Sequence, residues 1–336
     1  MILVTGGTGL VGSHLLYQLV VSGKAVRAIY RTKKKIKAVK KVFSYYSEDY
    51  ENLFAKIEWF EATLNNIPQI NEAFKDITYV YHCAAFISFD PKDYHTLRRV
   101  NIEGTANIVN LSVSQNVKKL CYVSSIATIG KKENNLLITE ETHWNPEAEQ
   151  SVYSITKYGA EMEVWRGTQE GLDAVIVNPG VIIGSGFWRG GGSGSLIKLV
   201  YKGFIRLTEG VVGYVSVKDV ANTMIKLMES NIINERYILV SDNLSYTDFF
   251  TKTANYLNVK APQKKASKFL LSIAWRLDWL RSKLFNKKRR LVKQTTKTIT
   301  TKSYYSNNKI KNAIDYNFAP IDEYLPETCQ FFLKEL

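Results

Sequence analysis

The chain opens MILVTGGTGLVG, an apolar run leading directly into glycines at positions 6, 9 and 12. Ile2, Leu3 and Val4 are apolar and partly β-branched, the pattern of a central parallel strand buried on both faces. Leu10, Val11, His14, Leu15, Gln18 and Leu19 then recur at helical spacing, and Gly23 closes that helix. Gly6 and Gly9 permit a tight turn and let a diphosphate approach the helix N-terminus, where unpaired N–H groups and the helix dipole favour anions. Gly12 permits close helix–strand packing. A lone glycine triplet also fits an ordinary strand–helix turn. Here strand, turn and helix lie in the required order, which predicts a dinucleotide cradle, with Thr8, Leu10 and Val11 belonging to it beside the glycines.

Strand-like runs at roughly 1–5, 25–30, 56–60, 78–83, 118–124 and 173–178 alternate with helical ones, as repeated βαβ units require. The second run ends in Arg31-Thr32-Lys33-Lys34-Lys35. A site that prefers NAD usually has Asp or Glu near this strand end, whereas Arg suits the 2′-phosphate of NADP. On this ground NADP is preferred over NAD, although the same residues also read as a solvated basic loop. With 336 residues the chain can bury one large core and a smaller appended lobe.

Tyr-x-x-x-Lys occurs five times, as Tyr30/Lys34, Tyr153/Lys157, Tyr214/Lys218, Tyr256/Lys260 and Tyr305/Lys309. Only Tyr153/Lys157 opens a long helical segment shortly after a strand that ends in serines. Residues four apart share a helix face, so the Lys157 ammonium can sit near the Tyr153 phenol. A phenol titrates near pH ~10, and a nearby cation is expected to lower that value. A serine hydroxyl can hold a substrate carbonyl as charge develops on it, while the phenol gives or takes the proton.

Taken together, TGGTGLVGS at 5–13, HCAA at 82–85, NIEGT at 101–105, YVSSIAT at 122–128, YSITK at 153–157 and NPG at 178–180 resemble the extended short-chain dehydrogenase/reductase superfamily. The resemblance spans roughly residues 1–240 and looks most like its dihydroflavonol 4-reductase and 3β-hydroxysteroid dehydrogenase branch. It implies an α/β Rossmann domain, a doubly wound parallel sheet over 1–180 to which 214–240 returns. A smaller, mostly helical lobe over 181–336 would bind substrate. By position, Ser125 matches the catalytic serine, Tyr153 the acid/base, Lys157 the residue that tunes it and holds the nicotinamide ribose, and Asn101 the helix-start asparagine of the catalytic set. Ala84 and Ala85 match backbone that lines the cofactor, and Pro179, Gly180 and Val181 the segment at the nicotinamide. Where the family usually has Gly-Asp-Leu, this chain has Ala62, Thr63 and Leu64, so Thr63 replaces the charged group that holds adenine. Ile126 and Ala127 follow Ser125, where sugar-nucleotide dehydratases carry Asp-Glu, which argues against dehydration.

The loop GSGFWRGGGSGS at 184–195 reads as a lid over the site or a disordered surface loop. Phe86, Ile87, Phe89, Phe187 and Trp188 are expected to shape an apolar substrate pocket. Cys83, Cys121 and Cys329 read as buried thiols of a reducing compartment, and the four histidines form no metal-ligand pattern, so no metal is expected. The first residues already belong to the fold, leaving no room for a signal peptide, and the expected location is cytoplasmic.

Residues 252–302 carry 15 Lys or Arg against the single acid Asp278, which accounts for the whole net charge of +14. Within them 265–290 reads as a basic amphipathic helix. The favoured expectation packs its apolar face against the core; peripheral contact with an anionic membrane is the alternative. Nucleic-acid binding has charge alone in its favour. The leading expectation is an NAD(P)H-dependent oxidoreductase acting on a carbonyl or secondary alcohol of a fairly apolar small molecule, and the resemblance admits a homodimer, since dimers are common among such relatives. The alternatives are a nucleotide-sugar epimerase holding NAD tightly and a non-catalytic NADP sensor or scaffold.

Overall fold

The computed structural model describes residues 1–131, 136–188, 192, 194–203, 206–289 and 291–336. In chain order its strands are β1 (Ile2–Thr5), β2 (Val26–Tyr30), β3 (Ile57–Glu61), β4 (Tyr79–His82), β5 (Lys119–Val123), β6 (Leu137–Ile138), β7 (Ala174–Pro179), β8 (Val181–Ile183), β9 (Val211–Ser216), β10 (Glu235–Leu239), β11 (Asp242–Ser245) and β12 (Tyr304–Tyr305). Seven of them form one parallel sheet in the order β10-β7-β5-β4-β1-β2-β3. This is the doubly wound Rossmann arrangement expected from the alternating runs.

Side-chain alternation explains the layers. Leu3, Val80 and Leu120 point to one face, where Ile108, Val109, Ala160 and Val164 of helices Gly104–Ser114 and Val152–Gln169 cover them. Their neighbours Val4, Tyr81 and Cys121 point to the other face, against helices Leu10–Val21 and Val217–Glu229. Burial on both faces is what a parallel sheet requires, and it accounts for the near-continuous apolar strands.

The strand order reverses between β1 and β4, which pair in register from Ile2↔Tyr79 to Thr5↔His82. Both strands therefore end level, opening the crevice in which α/β sheets bind ligands. Two glycines make that crevice possible. Gly6 has φ +70°, and a Cβ there would lie 2.5 Å from the Ala84 nitrogen; a Cβ on Gly12 would lie 2.3 Å from the Gly6 carbonyl oxygen.

A second, smaller core joins β8, β9 and β11, a three-stranded sheet, to helices Gly194–Tyr201, Tyr246–Tyr256 and Ile321–Leu333. β9 lies at the centre of this small sheet. The chain returns to the large sheet through helix Val217–Glu229 and edge strand β10. Leu207 makes an isolated bridge to Lys265. The C-terminal region also crosses back: Ile310 of helix Asn308–Ile314 is buried in the first core with Tyr237 and Leu239, because edge strand β10 leaves those residues to be covered.

The basic helix spans Lys268–Phe285. Its apolar stripe is exposed, contrary to the expected packing against the core: Phe269, Leu277 and Leu284 are 76%, 60% and 66% accessible. Among the described residues no helix is long and apolar enough to cross a membrane.

Candidate active site

β5 runs out at Val123 into Ser124 and Ser125, and Ser125 caps a single turn of 3₁₀ helix, Ile126–Thr128, by accepting the Ala127 N–H at 3.1 Å. Helix Val152–Gln169 begins opposite. Its N-cap Ser151 accepts the Ser154 N–H, and the Ser154 hydroxyl donates to the Ala127 carbonyl at 2.7 Å. This clip sets the first helical turn, and with it Tyr153, against the serine turn. The Ser125 side chain stands near the Tyr153 phenol, and the Phe89 ring stands with its centroid 5.5 Å from that of Tyr153.

One turn along, Lys157 is 1% exposed and donates from Nζ to Tyr122 Oη and to the Val123 carbonyl, the latter at 2.8 Å. Burial brings its amine down to about 7, with Glu161 pulling the other way. Burial also pushes Tyr153 up to about 12, opposed by the Ser125 hydroxyl. The cation was expected to lower the phenol's pKa, and the structure corrects this. Desolvation of the phenol dominates, and the lysine nitrogen is committed to Tyr122 and Val123.

Beneath these groups lies a network that sequence reasoning missed. The Glu161 carboxylate, fully buried, accepts from Ser124 Oγ at 2.5 Å, Thr128 Oγ1 at 2.7 Å, Asn178 Nδ2 at 2.9 Å and Arg236 Nη1 at 3.1 Å. Those partners come from the serine turn, β7 and β10. The available signal was spacing: Tyr153, Lys157 and Glu161 stand four residues apart on one helix face, so the acid had to face inward with them. Arg236 carried no such signal, since only strand order brings β10 beside the site, and the NPG motif at 178–180 drew attention to Pro179 and Gly180 without pointing to the bond between Asn178 and Glu161.

Asn101 is placed differently from its expected helix-start position. It lies inside a π-helical stretch, Arg98–Glu103, that continues directly into helix Gly104–Ser114. Its amide donates to the Phe86 carbonyl at 3.0 Å and to Thr156 Oγ1 at 3.2 Å, and its oxygen accepts the Phe86 N–H at 2.8 Å. With each of these polar atoms bonded to protein, Asn101 is a positioning residue that ties the loop after β4 to the helix bearing Tyr153. The wider π turn carries it beyond ordinary helical register.

On the cradle side, Gly9 caps helix Leu10–Val21 without a side-chain bond, and the first turn of that helix holds no acid. The Gly9 N–H is taken by the Gly6 carbonyl at 2.9 Å, so the N–H groups of the first helical turn, residues 10–12, are the ones left to meet a diphosphate, and that donor set fits a dinucleotide. The Ala84 N–H donates to Thr5 Oγ1 at 3.4 Å, while Ala85 is exposed at the crevice. Below, His82 bridges Thr5 and Thr105 at 2.6 and 2.9 Å, its pKa lowered to about 3 by burial, so a neutral ring joins two hydroxyls. Gly180 donates to the Leu239 carbonyl, and a Cβ there would lie 2.3 Å from the Gly213 oxygen; Pro179 and Val181 flank it at the ends of β7 and β8. Thr63 and Arg31 are exposed, and among the described residues Arg31 makes no ion pair; Leu64 packs where a Gly104 side chain would stand.

Of the expected pocket residues, Phe86 is half-buried and Phe187 adopts φ +57°, a left-handed backbone. Trp188 is corrected. It is buried in the second core with its ring 5.3 Å from Phe332, filling space rather than facing a cleft. The expected lid lies partly outside the described residues, at 189–191 and 193. Its first part is anchored, because the Ser185 carbonyl accepts from His14 Nε2 at 3.0 Å. Burial lowers His14 to about 4, so the ring is neutral and its Nδ1 accepts from Tyr46.

Residues 2–239 match the NAD dependent epimerase/dehydratase family, and the chain belongs to it. It is an NAD(P)-dependent enzyme of the extended short-chain dehydrogenase/reductase type. A putative dihydroflavonol 4-reductase of Synechocystis sp. is 28% identical, over 81% of this chain and 77% of its own. Sterol demethylase protein B of Methylococcus capsulatus is 27% identical, over 72% of this chain and 70% of its own. The crystal structure of gox2253 superposes with a TM-score of 0.82 at 25% identity, covering 100% of this chain and 98% of its own.

Two outcomes follow from the buried groups. Glu161→Ala strips four donors of their common acceptor and is expected to cost about 3–5 kcal/mol in urea unfolding; a loss below about 1 kcal/mol would show that the donors find other partners. The Lys157 amine titrates near 7 in the fold and near 10.5 in the unfolded chain, so between those values the unfolded state binds more protons and stability rises with pH. Wild type should therefore gain stability relative to Lys157→Met from about pH 7 to about pH 10, and parallel curves would contradict the lowered value.

Proposed function

We propose that this protein is an NADP-dependent oxidoreductase that interconverts a carbonyl and a secondary alcohol on a fairly apolar small molecule, using Ser125, Tyr153 and Lys157. The observation that carries this is the buried Tyr153 phenol near Ser125, with Lys157 one turn along the same helix, beside the crevice where the strand order reverses. Gly6, Thr8, Gly9, Leu10, Val11 and Gly12 would hold the cofactor's diphosphate, Thr63 and Leu64 its adenine, and Ala84, Ala85, Pro179, Gly180 and Val181 its nicotinamide end. When bound, the nicotinamide supplies or accepts the hydride.

The protein's own groups manage the oxygen and its proton. Ser125 Oγ holds the carbonyl oxygen as charge grows on it. Tyr153 Oη gives that oxygen its proton in reduction and takes one in oxidation. A phenol raised to about 12 is firmly protonated at neutral pH, which suits it to start as the acid. Lys157, poised near 7, can hold the ribose hydroxyls with the donor that Tyr122 and Val123 leave over. Exposed Ile87 and Phe89 beside Tyr153 support an apolar substrate, as do relatives named for a flavonol and a sterol. Exposed Arg31 at the end of β2 supports NADP.

Tyr153→Phe is expected to lower turnover of a carbonyl panel by about 10²–10⁴-fold with NADPH affinity unchanged. Stopped-flow and fluorescence titration would check this, and turnover within a few-fold of wild type would remove the tyrosine's role. Arg31→Asp should narrow or reverse the difference in thermal shift between NADP and NAD. An unchanged difference would leave the preference without a basis.

A further inference from the structure

Helix Lys268–Phe285 is attached to the protein by a narrow face. At about 100° per residue, Leu271, Trp275, Asp278 and Ser282 fall on one side, and Leu271 and Ser282 are 8% and 2% exposed. Phe269, Leu270, Ile273, Leu277, Leu280 and Leu284 fall within about 100° of arc on the side facing away, and all six are exposed. An outward apolar stripe of this length is unusual on a freely soluble surface.

The charge around the stripe says what covers it. Arg276 and Lys283 flank it, Lys264 precedes it and Lys287 follows it, all exposed. The one acid of the region, Asp278, is turned inward, where it accepts from Arg281 Nη2 at 2.7 Å and from the Leu291 N–H at 3.1 Å. Apolar side chains bordered by cations alone, with Trp279 exposed at the edge and Lys283 over its ring, match the headgroup and acyl boundary of an anionic bilayer. We propose that this helix lies in the surface of an anionic membrane and holds the enzyme there as a peripheral protein.

The placement also orients the site. Past the helix, the Arg289 N–H donates to Asp90 Oδ2 at 2.9 Å and Lys288 Nζ stands 3.5 Å from Asp93. Asp90 directly follows Phe89, whose ring meets Tyr153. The helix and the loop at Tyr153 are thus tied together, so docking brings the entrance of the site towards the bilayer, from which an apolar molecule could enter. The docking does not depend on the reaction assigned above.

Co-sedimentation of the full chain with vesicles tests it without any turnover measurement. With about one-third phosphatidylglycerol in phosphatidylcholine, bound protein should exceed that on phosphatidylcholine alone by about tenfold, and should fall as salt rises from about 0.1 M to 0.5 M. Leu277→Glu with Leu280→Glu, both at exposed positions, should abolish binding while thermal unfolding stays as in wild type. Arg276→Glu with Lys283→Glu should remove the preference for phosphatidylglycerol. Equal sedimentation with and without vesicles would overturn the proposal. So would a wild-type dimer that the Leu277→Glu, Leu280→Glu variant breaks into monomers, since the stripe would then be covered by a second copy.

Discussion

The buried carboxylate of Glu161 is the point on which the site's geometry depends. It gathers donors from the serine turn, from β7 and from β10 onto the helix that carries Tyr153 and Lys157. A charge with no exposed surface is tolerable only when every lone pair is used and a cation stands close. Arg236 supplies that cation, and it can do so only because the chain leaves the large sheet for β8 and β9 and comes back to form its edge. Two strands distant in sequence are thereby locked to helix Val152–Gln169.

That lock has a chemical consequence. The serine turn is clipped to helix Val152–Gln169 by the Ser154–Ala127 bond and by Glu161, so Ser125 and Tyr153 are set near one another without a ligand to hold them. The energetic cost of pre-arranging them is met by folding instead of by substrate binding. The same burial that fixes the groups shifts them in opposite directions, with Tyr153 towards 12 and Lys157 towards 7. Both shifts come from desolvation more than from attraction between the pair.

The Rossmann layer was largely legible in the chain. All six early strands stand within a residue or two of their expected limits, because a parallel sheet buried on both faces must be written in near-continuous apolar runs. The glycine turn was legible for a similar reason, since a Cβ at Gly6 or Gly12 would strike backbone. Asn101 and Trp188 were misplaced because a local motif records neither a π turn nor a side chain turned into a second core. The amphipathic helix was found, yet its pattern could not say which way the apolar side faced: a stripe at helical spacing looks the same against a core or against solvent.

Sequence alone therefore determined the strand–turn–helix cradle, the alternating layers and the spacing of Tyr153, Lys157 and Glu161, each a consequence of local periodicity or of steric room at one residue. Tertiary structure decided which groups meet. It brought Arg236 and Asn178 to Glu161, committed Lys157 to Tyr122, spent Asn101 on the Phe86 loop and left the stripe of helix Lys268–Phe285 facing outward. Such outcomes depend on strand order and on what packs behind each element, quantities that no window along the chain contains.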